Sequence, residues 1–222
     1  PKGTYKCKKR VQICRIYHDL LNCYLCRMNT PMKSNPLSLT ERTGLPDALC
    51  ALVDVYPRHG WEENPAYSQL IRFWLDRHMM FRQLLDHLDK DTESALDGNQ
   101  DPEIYKRKLN QLGGRLINEL HGHHQIEDVH YFPTMALLDQ RTAAGFEILD
   151  KDHQHLDGIL SGLADAANGV LHLNGAMAGF LDAAATMKDR LNAFRPMLNR
   201  HLIDEEELVV PVLLKYDPPQ FR

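Results

Sequence analysis

No stretch of these 222 residues is long and apolar enough to cross a bilayer, which takes roughly 18 consecutive apolar residues. No signal-peptide apolar core follows the basic start either. The expected setting is therefore cytoplasmic, with no membrane partner. Cysteine is sparse: Cys7, Cys14, Cys23 and Cys26 lie at the start and only Cys50 lies elsewhere. An odd count so placed argues against a disulfide framework. The spacing Cys-x6-Cys-x8-Cys-x2-Cys also matches no familiar zinc pattern. Convincing strand alternation is missing throughout. Positive charge is lacking outside the start: residues 1–33 hold eight Lys or Arg against one acid, the remainder eighteen against twenty-nine. So acidic a body argues against a nucleic-acid partner.

What is present is ordinary for a globular chain, with 43% hydrophobic and 25% charged residues. The length suits one large domain with an appendage. Residues 1–33 form a basic, cysteine-containing leader in which Ile13, Ile16, Tyr17, Leu20, Leu21 and Tyr24 have rough helical spacing. Met28 and Met32 stand just before the composition changes, and either suits a natural start, so the leader carries no functional weight. Residues 34–63 read as a Pro- and Ser-rich linker followed by a short helix from Pro46 to Val55.

Residues 64–217 read as four long helices, and 218–222 as a tail. Asn64-Pro65 is an N-cap with proline in the first turn, opening a helix to about Asp91. Asp97-Gly98-Asn99-Gln100 is a turn, and Asp101-Pro102 starts a second helix reaching Phe132. A third runs from about Asp139 to a C-cap at Asn168-Gly169, and a fourth from near Asn174-Gly175 to Tyr216, with a kink or break expected at Pro196. Short connections make antiparallel neighbours. The fold class is all-α: an up-down-up-down antiparallel four-helix bundle with a short N-terminal helical extension.

One motif occurs twice. His123-His124-Gln125-Ile126-Glu127-Asp128 ends in Pro133, and His201-Leu202-Ile203-Asp204-Glu205-Glu206 ends in Pro211. Both read His, three residues, Glu, a second acid, four residues, Pro. Residues four apart stack on one helix face, so each copy presents an imidazole and a carboxylate in one direction. A single copy is most simply a solvated helix face; the duplication argues for ligands. Each copy also follows a helix bearing one histidine on an apolar stripe. From His78 the stripe continues to Phe81, Leu84, Leu85 and Leu88, and from His153 to Leu156, Ile159, Leu160 and Leu163. A polar side chain on a core stripe needs partners. Imidazole with carboxylate suits iron, zinc or manganese, and a carboxylate can bridge two ions.

The combined pattern resembles the hemerythrin-like, or HHE cation-binding, family over roughly Pro65 to Tyr216. The resemblance implies a non-haem di-iron centre held by His78, His123, Glu127, His153, His201 and Glu205, with both glutamates as candidate bridges. Six protein ligands leave positions open for an oxo or hydroxo bridge and for O2, NO or peroxide. The ligand set is similar to that of the family's iron-centre repair proteins in stress defence, yet their Cys-Cys-Gly-Gly element is missing. The family's oxygen carriers place a further histidine four residues after the third-helix ligand, where this chain has Asp157; its counterpart in the other hairpin is Arg82. Glu-x2-His motifs, used by ferritin-like bundles, are also lacking at the key positions.

Two further candidates are Asp157, supplementing one iron, and His130, seven residues after His123 and so on the ligand face. His121, His124 and His155 lie off the stripe and are expected in solvent, as is His87. Trp74 and Tyr131 are most simply packing residues. Gly122 either permits a close helix approach or answers a packing need. The leading expectation is a protein that binds or reduces a small oxidant (O2, NO or peroxide), with a possible redox partner, in stress response or iron handling. The alternatives are a non-enzymatic iron or oxygen sensor and a metal-free bundle with polar core histidines.

Overall fold

The computed structural model describes residues 35–173 and 177–221. The leader, with its expected helix and its four cysteines, lies outside the described residues, as does the Asn174-Gly175 start signal. Residues 36–222 form one compact unit. It is all-helical, with no strand among the described residues: α1 is Gln69–Leu96, α2 Pro102–Ile126, α3 Phe132–Leu138, α4 Ala143–Leu171 and α5 Met177–Tyr216. The long helices α1, α2, α4 and α5 form a bundle, in which α1 packs on α2 and α5, and α4 on α2 and α5.

Local chemistry sets most boundaries. Asp101 caps α2 by accepting from the backbone N–H groups of Glu103 (2.9 Å) and Ile104 (3.1 Å), and Pro102 follows as expected. The turn before it needs left-handed backbone, and Gly98 supplies it at φ 73°. The start of α1 differs from the expectation. Asn64 caps only a local turn, accepting from the Ala66 N–H, and Ser68 caps the helix by accepting from Ile71. Pro46–Val55 is likewise not an α-helix. Its backbone closes successive three-residue turns, such as Leu49 N–H to Pro46 O and Val53 N–H to Cys50 O. The third long helix continues through Asn168-Gly169 to Leu171, and α5 runs unbroken through Pro196 and Pro211.

Between α2 and α3 the chain makes one π-helical turn, Glu127–Tyr131. The wider turn keeps the helix continuous but rotates everything after it. The buried core is correspondingly divided. One apolar cluster gathers Phe81, Leu88, Leu120, Leu160, Leu191 and Leu202; the other gathers Ile71, Trp74, Phe132, Phe146, Val209 and Val212. Between them lies a polar layer from all four long helices and the π turn: His78, His124, Glu127, Asp152, His153, His201, Asp204, Glu205 and Glu206, all buried. Beyond that layer α4 and α5 approach closely, for a Cβ on Gly145 would meet Leu208 at 2.8 Å.

Candidate metal centre

The four helices carry their histidines to one level. His78 lies in the first half of α1 and His123 at the end of α2, so the two meet only because the helices are antiparallel. Their Nε2 atoms are 3.1 Å apart. Two groups of side chains have ligand atoms that converge: His78, His123, Glu127 and Glu205 in one, and His124, His153 and His201 in the other. The two glutamates straddle both. Glu127 puts one oxygen 2.9 Å from His123 Nε2 and the other 3.5 Å from His153 Nε2. Glu205 puts one oxygen 3.2 Å from His78 Nε2 and the other 3.4 Å from His201 Nε2.

These approaches are close without satisfying the atoms involved. Among the described residues, seven of the ten buried side-chain N and O atoms that make no hydrogen bond belong here: both nitrogens of His124, both oxygens of Glu127, Nε2 of His153, Nε2 of His201 and one oxygen of Glu205. An orphaned buried polar atom costs about 1–3 kcal/mol. Seven of them converging around one point call for a shared positively charged partner, and the imidazole and carboxylate donors suit iron.

The charges show the same strain. Burial and the facing Glu205 carboxylate push the Glu127 carboxyl well above its ordinary range. Burial also raises Glu205, but His78, His123 and His201 around it outweigh that and keep it ionised, well below the usual range. Burial lowers His123 to about 3 and His124 and His201 also below their ordinary value. His78 goes the other way: burial opposes its charge, yet Glu205 and Glu206 raise it.

The outer nitrogens of the rings are anchored. His78 Nδ1 donates to Glu206 (3.0 Å), His153 Nδ1 to Asp128 (2.7 Å) and His201 Nδ1 to Asp152 (3.4 Å). Carboxylates so placed fix ring orientation and raise ligand basicity. Asp128 and Glu206 are the second acids of the duplicated motif, and each serves the histidine of the opposite hairpin. The Trp74 indole N–H donates to Glu205, so Trp74 is more than packing.

The profile of the hemerythrin HHE cation binding domain matches residues 69–213. The chain belongs to that family. No curated protein and no solved structure matches it. Family membership makes this a metal-binding bundle, consistent with the clustered donors.

The six residues expected as ligands are thus brought together, and three other expectations are corrected. His124 is not in solvent: it is 1% exposed, stacked on His153 with ring centroids 4.0 Å apart. The signal was present in the sequence, because the buried stripe of α2 runs Leu109, Gly113, Leu116, Leu120, His124 at spacings of three and four. His130 is exposed, since the π turn breaks its register with His123. Asp157 is also at the surface, 3.2 Å from His121, and does not reach the donors. Gly122 meets nothing within 4 Å, so neither close helix approach nor packing requires it. It lines a cavity of about 510 Å³ that opens between α1 and α2 and reaches His123 and Glu127, with Phe73, Trp74, Arg77 and Tyr131 in its walls.

Proposed function

We propose that this hemerythrin domain holds two irons and uses them to bind or reduce a small oxidant, O2, NO or peroxide, in stress response or iron handling. The observation that supports it is the straddling of both donor groups by Glu127 and Glu205, which suits two adjacent cations sharing two carboxylates. His78 and His123 would complete one ion's protein ligands, and His153 and His201 those of the other. His124, grouped with His153 and His201, would supply a further imidazole to that ion where Asp157 does not. When bound, the irons supply open coordination positions and electrons for the oxidant.

The chain's own part is positional. Glu206, Asp128 and Asp152 hold three rings by their outer nitrogens, leaving the inner nitrogens as lone pairs in the neutral form. Trp74 holds one oxygen of Glu205. Phe81 and Leu202 below, with Phe132 and Leu208 above, exclude water from the polar layer. The cavity beside His123 gives a small oxidant a route to one ion, and His124 is not among its lining residues. Arg77, paired with Glu119 at 2.5 Å, stands at its mouth.

The test is metal analysis of protein purified without chelator, followed by mixing the reduced protein with O2, NO and hydrogen peroxide while absorption is recorded. Two irons per chain and a spectral response to at least one oxidant are expected. One tightly held zinc and no response would end this reading.

A further inference from the structure

The chain before the family domain builds part of the centre. Residues 36–68 precede the matched region, yet two arginines from this arm reach the carboxylates that hold the histidines. Arg42 is buried, with 1% of its side chain exposed. It donates through both terminal nitrogens to Asp152, one of them at 2.8 Å, and through Nε to Asp204 at 2.8 Å. Asp152 in turn takes the His201 ring. Arg58 donates to Glu206 at 2.6 Å, and Glu206 takes the His78 ring.

The need for the arm follows from α5. Asp204, Glu205 and Glu206 are consecutive, and none is more than 3% exposed. Three adjacent buried acids require cations on every side. Among the described residues the bundle itself gives Asp204 one arginine, Arg200, and Glu206 one arginine, Arg82, beside the His78 ring. Asp152, 4% exposed, receives no arginine from the bundle among the described residues. Without Arg42 its buried charge would be left with only the 3.4 Å bond from the His201 ring to hold it.

Resting on the di-iron reading, we propose that Arg42 and Arg58 are positioning residues of the metal centre, acting through Asp152 on His201 and through Glu206 on His78. The arm is then a working part of the site rather than a linker. A planar guanidinium can grip Asp152 with two parallel bonds while Nε serves Asp204, which an ammonium cannot reproduce.

The experiment uses the full chain and measures iron affinity by competition with a chelator, together with the absorption spectrum of the oxidised, iron-loaded protein. Arg42→Gln and Asp152→Asn should each weaken iron binding about 10–100-fold, the usual effect of losing an outer partner of a ligating histidine, and shift the spectrum. Arg42→Lys should recover part of the affinity. Arg195→Gln is the control, because it removes a cation from Asp86 and Asp89 without touching the arm or any partner of a ring, and should stay within about 3-fold of wild type. If Arg42→Gln fails to fold, Asp152→Asn and Arg58→Gln decide. Wild-type affinity and spectrum in these variants, even with a lower Tm, would overturn the proposal while leaving the di-iron reading standing. Wild-type protein that takes up no iron would overturn both.

Discussion

Asp128 and His153 lie 25 positions apart on opposite hairpins, and the His153 Nδ1 donates to Asp128 across 2.7 Å. Glu206 and His78 repeat the relationship with the hairpins exchanged. The pairs are alike in pattern and unlike in burial. The Asp128 side chain is 31% exposed, whereas the Glu206 side chain is 4% exposed and held by Arg58 and Arg82; burial works to raise its carboxyl, yet His78 and these arginines bring it down to about 2. Glu206→Gln should therefore reduce metal affinity about 10–100-fold, and Asp128→Asn should cost distinctly less, because water can partly replace its carboxylate. Chelator competition on both variants checks the order. Equal losses would mean that burial of the outer acid does not matter.

His124 gives the sharpest contrast among the histidines outside the duplicated positions. His124→Ala should lower iron content toward one per chain, since it removes an imidazole from the group that also contains His153 and His201. His155→Ala, on an exposed position of α4, should leave iron content unchanged. Quantitative metal analysis of both variants reads this directly.

The sequence makes the helical class and the six paired donors legible, because both depend on periodicity. Spacing of three and four along α1 and α4 puts His78 and His153 on buried stripes, and the repeat supplies the rest. Spacing could not show the π turn at Glu127–Tyr131, a backbone event with no local residue signature, so His130 was placed on the wrong side. His124 was legible but masked by its neighbour. Counting from His123 alone puts it off the face, whereas counting from Leu120 puts it on the stripe. The outer acids and the two arm arginines depend on contacts between different segments, 25 positions apart for Asp128 with His153 and more than a hundred for Arg42 with Asp152 and Arg58 with Glu206. Periodicity says nothing about those.

The metal-free protein should be most stable near pH 6.5. Below that value the unfolded chain protonates His123, His124 and His201, whose folded forms resist protons, so stability falls as pH drops toward about 3. Glu127, raised by burial and Glu205, works against these three. Above 6.5 the sign reverses. His78 and Glu127 are both raised in the folded protein and bind protons more tightly there than in the unfolded chain, so their contribution is lost as pH rises through their raised values. Metal takes the place of those protons, so iron-loaded protein should lack the alkaline limb. Thermal melts of metal-free and loaded protein between pH 5 and 9 test this. A metal-free Tm that rises steadily across that range would contradict it.

Gly122 lines the cavity leading to His123 and Glu127, and a Cβ there meets open space. Gly122→Leu should therefore fold normally, retain its iron and fill part of the entrance. The expected result is slower reaction with the larger oxidants, at about wild-type iron content, read by rapid mixing. Unchanged rates would mean that the oxidant enters elsewhere.

Sharing of Glu127 and Glu205 between two ions is the central claim, and Mössbauer spectroscopy of protein loaded with isotopically enriched iron tests it most directly. The same spectra count the irons and report whether they are coupled. Oxidised wild-type protein should show two irons per chain as a magnetically coupled pair with no net spin, and Glu205→Ala should lose that coupling. A single iron, or two irons behaving as independent paramagnets in wild-type protein, would contradict it.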